Sequence, residues 1–167
     1  MSEQNPALDP ENTLYLDVKG GRVVIQLRPD LAPNHVNQIK TLVRRGFYDG
    51  TVFHRVIEGF MAQGGDPTGT GTGGSKLPNL PAEFTHERRF LRGTVGSART
   101  SDPNSANSQF FIMFAPAPSL DGQYTIWGQV IKGMEFVDHI KRGDGQNGIV
   151  KDPDRIVHMR LATDVKD

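Results

Sequence analysis

Apolar and polar positions alternate over two short runs near the start of the chain. Residues 13–18 (TLYLDV) and 22–27 (RVVIQL) flank Gly20-Gly21, which predicts a β-hairpin. The period then lengthens. Pro33 suits a first helical position, and Val36, Ile39, Leu42 and Val43 follow at helical spacing. Arg44 and Arg45 suit the last turn and Gly46 the cap. A second helix is predicted after Gly133, with Met134, Val137 and Ile140 as its apolar stripe. Lys141 and Arg142 close it and Gly143 caps it. Short strand-like runs fall near 51–57, 60–63, 93–97, 109–114, 124–131 and 155–162. Residues 64–92, with many glycines and Pro67, Pro78 and Pro81, read as irregular. Many short strands, frequent turns and two helices predict a mainly β fold, its antiparallel sheet closed into a barrel or sandwich.

Composition narrows the function classes. At 167 residues and 18.4 kDa the chain suits a single domain over 1–167, with residues 1–11 as a polar N-terminal extension. Lys plus Arg is 19 and Asp plus Glu is 19, so no net charge draws it to nucleic acid or an anionic membrane. No apolar run approaches the length of a membrane span. The start, MSEQNPALDPEN, has neither the basic nor the apolar segment of a secretory signal, so a cytoplasmic location is expected. The absence of cysteine excludes disulfides and thiol chemistry. No heptad or interface stripe stands out, so a monomer is expected.

Several motifs fail on context. Residues 69–74, GTGTGG, match G-x-G-x-x-G, but QGGDPT precedes them and SKLPNLP follows. A dinucleotide fingerprint needs a strand before it and a helix after it, so a flexible surface loop is the better reading. Gly74-Ser75-Lys76 has the wrong order for a phosphate loop. His35, His54, His86, His139 and His158 are scattered, without the short spacing of a metal site, and read as surface or hydrogen-bonded structural residues. No nucleophile elbow is present. Asp66 and Asp121 read as turn residues.

Two segments remain. In SQFFIMF, 108–114, strand parity sends Phe110, Ile112 and Phe114 to one face and Gln109, Phe111 and Met113 to the other. The second face belongs to a half-exposed strand with stray apolar residues, to a sheet buried on both faces, or to the wall of a groove with an apolar floor and a polar anchor. In FHRVIEGFMAQGGD, 53–66, Arg55 sits among Phe53, Val56, Ile57, Phe60 and Met61, with Gln63 beyond. An isolated buried guanidinium is unfavourable. Arg55 either snorkels over apolar surface or serves a site. Both segments set aromatic or Met surface beside a glutamine, which with Arg55 suits a compact apolar ring flanked by amides.

The blocks FHRVIEGFMAQGGD, the Gly/Thr loop, SQFFI and SLDGQYTIWGQV, in this order, resemble the cyclophilin family of peptidyl-prolyl isomerases over roughly residues 12 to 162. The resemblance implies a closed eight-stranded antiparallel β-barrel capped by two helices. It also implies an enzyme that accelerates rotation about X–Pro bonds in proline-containing polypeptides, assists protein folding and uses no cofactor or metal. By motif, Arg55 is the catalytic residue. Phe60, Met61, Phe111 and Leu120 line the proline pocket. Gln63, Ala98 and Arg99 bind the substrate backbone, Gln109 lies in the same wall, and Tyr124 lies at the groove rim. The chain departs from animal members at Ser119, where they have Trp, at Tyr124, where they have His, and at Ala98-Arg99-Thr100. These variants resemble the bacterial branch, and loss of the Trp implies weak cyclosporin binding. Trp127 is expected in the core. His54, facing away from Arg55, is expected to be structural. A proline-binding module with little turnover would use the same groove.

Overall fold

A computed structural model of the chain describes residues 9–165. Residues 1–8 of the expected N-terminal extension lie outside the described residues, and Pro10–Asn12 form one 3-10 turn. The hairpin is formed by β1 (Thr13–Val18) and β2 (Gly21–Leu27). Val18 pairs with Gly21, so the turn is Lys19-Gly20 and the second glycine belongs to the strand. A Cβ on Gly21 would lie 2.7 Å from the ring of Phe136, so glycine there admits the helix that packs on the hairpin end.

Helix α1 spans Pro33–Arg44 and buries Val36, Ile39, Leu42 and Val43, as the spacing predicts. Gly46 follows at φ 70° and donates its N–H to Val43, while Phe47 donates to Leu42. This paired arrangement satisfies the last carbonyls, and a left-handed glycine makes it possible. At the other end Ala32 offers no side-chain cap. The carboxylate of Glu83 replaces it, accepting from the N–H groups of Asn34 at 3.3 Å and His35 at 2.8 Å.

The remaining strands are β3 (Arg55–Ile57), β4 (Met61–Gly64), β5 (Thr94–Ser97), β6 (Phe110–Met113), β7 (Ile126–Lys132) and β8 (His158–Leu161). They join β1 and β2 in one antiparallel sheet of order β3-β4-β6-β5-β7-β2-β1-β8. Register shifts between Val24 and Ile25 and between Val95 and Gly96 mark irregularities that bend it. The sheet is an open half-barrel and not the closed barrel that the sequence predicts. Edge strands β3 and β8 are not paired by a ladder. The seam is crossed by the isolated bridge Val52–Arg155 and by the bonds from Phe53 N–H to Asp154 and from Ile156 N–H to Thr51. Pro153 has no N–H to give, and Asp152 adopts φ 53°, so a regular ladder does not extend through this stretch.

Helix α2 is only Met134–Asp138, shorter than the stripe to Gly143 predicts. The Arg142 guanidinium donates to the carbonyl of Asp138, the acceptor that the Arg142 N–H would need in a longer helix. The Lys141 N–H turns instead to the Asp154 carboxylate, and that of Gly143 to Val56.

Inside the half-barrel, Phe110 forms edge-on contacts with Tyr48, Phe53 and Trp127 at centroid distances of 5.7, 6.2 and 6.0 Å. Trp127 is wholly buried, as expected. The parity of residues 110–114 holds: Phe110, Ile112 and Phe114 join this core, while Phe111 and Met113 join a second cluster with Met61, Phe90 and Ile126. Strand β6 is therefore buried on both faces. Truncation of the central ring, Phe110→Ala, is expected to lower the unfolding free energy by about 3–5 kcal/mol in urea titrations.

Candidate active site

The site forms on the face of β6 turned away from the main core. Strand register sets Arg55 opposite Gln63, Gln63 opposite Phe111, and Phe111 opposite Gly96. One row across four neighbouring strands thus carries a guanidinium, an amide, an aromatic ring and an empty position. The empty position is required. A Cβ on Gly96 would lie 3.0 Å from Phe111 Cζ and 2.9 Å from Phe90 Cε2. The two rings stack at 5.6 Å, and Tyr124 meets Phe111 edge-on at 5.7 Å.

These side chains enclose a cavity of about 180 Å³. Phe60, Met61, Phe111 and Leu120 supply its apolar wall, and Arg55, Gln63, Ala98, Arg99 and Tyr124 complete it. Leu120 is carried by a 3-10 turn, Pro118–Leu120. The next residue, Asp121, accepts from the Phe90 N–H at 2.7 Å, so this expected turn residue also ties the turn to the aromatic floor. Every sequence-predicted site residue except Gln109 lines this cavity. Gln109 lies in an adjoining polar cavity of about 500 Å³, which shares Gln63, Ala98 and Arg99 with the first. Ser119 is exposed and outside both linings.

Arg55 makes no ion pair among the described residues. Its Nε donates to the carbonyl of Asn147 at 2.9 Å, and its Nη1 to Gln63 Oε1 at 3.3 Å. Gln63 Nε2 donates to Gln109 Oε1 at 3.0 Å, and Gln109 Nε2 donates to the carbonyls of Gly71 and Gly73 at 3.0 and 2.9 Å. A directed chain of donors thus runs from the guanidinium to the glycine loop, leaving Nη2 without a partner among the described residues. Arg99 lies over the Tyr124 ring at 4.4 Å and donates to the carbonyls of Gln123 and Thr100.

The glycine loop, read from sequence as a flexible surface loop, is organised around one carboxylate. Asp66 accepts from the N–H groups of Thr68, Gly71 and Gly73 and from the Thr68 hydroxyl. A Cβ on Gly73 would lie 2.3 Å from Asp66 Oδ1, so glycine is needed for this approach. Burial alone would raise the Asp66 pKa, but those hydrogen bonds outweigh it and hold the carboxyl down to about 2. His54 is buried beneath the loop and is absent from the cavity wall, as its opposite facing predicts. Burial lowers its pKa, opposed by Asp66 and reinforced by Arg55. His35 is also structural, bonded to the Ser97 hydroxyl and the Pro81 carbonyl.

Sequence reasoning missed the carbonyls of Asn147, Gly71 and Gly73, because a backbone oxygen has no residue-type signature. Gly96 did leave a trace: an isolated glycine within a strand marks a close approach.

Residues 13–161 match the family model described as cyclophilin type peptidyl-prolyl cis-trans isomerase/CLD. A probable peptidyl-prolyl cis-trans isomerase of Brucella suis is 56% identical, over 96% of this chain and 87% of its own length. The isomerase cypE of Dictyostelium discoideum is 38% identical, over 88% of this chain and 96% of its own. Among solved structures, cyclophilin AquaCyp293 from Hirschia baltica superposes with a TM-score of 0.86 at 30% identity, over 96% of this chain and 77% of that one. A Cryptosporidium parvum cyclophilin-type isomerase, crystallised in the presence of the dipeptide Ala-Pro, gives a TM-score of 0.81 at 29% identity, over 89% and 98%. The chain belongs to the cyclophilin-type peptidyl-prolyl cis-trans isomerases, enzymes that need no cofactor and whose general role is in protein folding.

Asp66 contributes to stability at neutral pH because its folded pKa lies below its ordinary value. That contribution is fully present above about pH 4 and is lost as pH falls through about 2. The expected difference in unfolding free energy between the wild type and Asp66→Asn is about 2 kcal/mol near pH 7, shrinking towards zero near pH 2. Urea titrations at both pH values measure it.

Proposed function

We propose that Arg55 catalyses the isomerisation and that the adjoining apolar cavity receives the proline ring. Amide resonance sets a rotational barrier of roughly 18–20 kcal/mol. Uncatalysed X–Pro exchange takes on the order of tens to hundreds of seconds. As the bond twists, conjugation is lost and the prolyl nitrogen regains a lone pair. A donor fixed beside that nitrogen binds the twisted state better than the planar one, and this difference is catalysis. A guanidinium keeps its charge across physiological pH, so it donates without itself changing state. A ~10⁴-fold acceleration requires about 5.5 kcal/mol, within reach of a charged donor and fixed orientation in a partly dry cavity.

The observation that carries this reading is the uncommitted Nη2 of Arg55, on the wall of a cavity otherwise lined by Phe60, Met61, Phe111 and Leu120. In this scheme Phe60, Met61, Phe111 and Leu120 hold the ring. Gln63 and the backbone at Ala98 and Arg99 hold the flanking amides. Gln109 positions Gln63 and does not touch the ring, and Tyr124 braces the rim against Phe111. The groove is complete within one chain, which supports a monomeric enzyme. The exposed Ser119 offers neither the area nor the donor of an indole, which supports weak cyclosporin binding.

Arg55→Ala is expected to lower kcat/KM by about 10²–10³-fold on an Ala-Pro peptide, while the half-exposed position keeps the fold intact. Arg55→Lys retains the charge but loses the planar fork, so its activity is expected to lie between the two. Exchange spectroscopy and thermal melting read both effects.

A further inference from the structure

The protein carries equal numbers of basic and acidic residues, yet the groove does not share that balance. Arg22, Arg28, Arg44, Arg92 and Arg142 each pair with a carboxylate. Arg55 and Arg99, like Arg45, Arg88, Arg89, Arg155 and Arg160, have no such pair among the described residues, and these two line the same small cavity. Neither that cavity nor the adjoining polar one has Asp or Glu in its lining. Two uncompensated guanidiniums thus face one groove.

Arg99 is the more informative of the two. It is half-buried and lines both cavities, so it stands where a chain leaving the apolar pocket enters the polar one. Its Nε and Nη2 donate to the Gln123 carbonyl and its Nη1 to the Thr100 carbonyl, with the plane over Tyr124. Three of its five N–H groups are used to hold it and two remain. All of its partners are neutral, so the charge is fixed in place without being cancelled. Holding a side chain in advance removes part of the ordering penalty of binding. A cleft lined by one sign of charge also concentrates ligands of the opposite sign.

We infer that this isomerase prefers proline segments with a carboxylate side chain beside the proline, and that Arg99 sets the preference. The inference rests on the proposed placement of the proline ring in the apolar cavity. The favoured position is one or two residues from proline, on the side that runs into the polar cavity. Each extended residue advances the chain by about 3.3–3.6 Å, so a more distant acid passes beyond Arg99.

The test uses the full-length protein and peptide pairs that differ only by Glu or Gln at each of the two positions on either side of proline. The ratio of kcat/KM for the Glu and Gln members is read by exchange spectroscopy. At an ionic strength of about 0.01 M, the ratio is expected to reach about 5–10 at one position, falling towards 1 near 1 M as screening shortens. Arg99→Gln is expected to bring the ratio close to 1 at low salt, whatever its effect on absolute turnover, whereas Arg99→Lys retains most of it. Turnover of the Gln peptides with a ratio near 1 at every position overturns this inference and leaves the isomerase site standing. A ratio that survives Arg99→Gln in a variant that melts like the wild type also overturns it. Failure to accelerate any peptide overturns both readings.

Discussion

A guanidinium can stand against an apolar pocket only if something holds it there without neutralising it. Here the holder is the run of hydrogen bonds from Arg55 to Gln63 to Gln109, anchored by the Asn147 carbonyl at one end and the Gly71 and Gly73 carbonyls at the other. All of these acceptors are neutral. A carboxylate in their place would strengthen the attachment but cancel the charge on which the proposed role of Arg55 depends. Carbonyl and amide oxygens fix the orientation of the group and leave its field intact, with one terminal nitrogen uncommitted.

That arrangement depends on parts of the chain far from Arg55. The glycine loop presents its carbonyls to Gln109 because Asp66 gathers the loop N–H groups beneath it. The outer face of β6 exists as a pocket floor because the inner face is already filled by Phe110, Ile112 and Phe114. Gly96 lets Phe111 and Phe90 lie together on that outer face, and Tyr124 closes against them. Packing on the two sides of one strand thus serves two ends: the inner side stabilises the sheet and the outer side shapes a binding surface.

Much of this was legible in residue order, and the reasons are local. The hairpin, α1 and the two faces of residues 110–114 follow from the period of apolar positions, which burial imposes directly. The pocket was legible through the motif resemblance, which brought Phe60, Phe111 and Leu120 together from separate segments. The open seam was not legible, because strand closure depends on backbone groups near Pro153 and Asp152 that carry no hydrophobic signal. The length of α2 is not legible for a similar reason: its stripe continues through Ile140, but the backbone tightens after Asp138, with the N–H groups of His139 and Ile140 donating to the carbonyls of Phe136 and Val137, three residues back. Gln109 was expected in the same wall, and it lies in the adjoining polar cavity. Its parity sets it beside Phe111, but only the fold shows its amide spent on Gln63 and the loop.

The most direct test of the central claim is a crystal structure of the protein with an Ala-Pro-containing peptide. The account predicts the proline ring among Phe60, Met61, Phe111 and Leu120. It also predicts a terminal nitrogen of Arg55 near the prolyl nitrogen or its adjoining carbonyl, with the bonds to Asn147 and Gln63 retained. A ring seated in the polar cavity, or a guanidinium that turns away from the bound peptide, would contradict it.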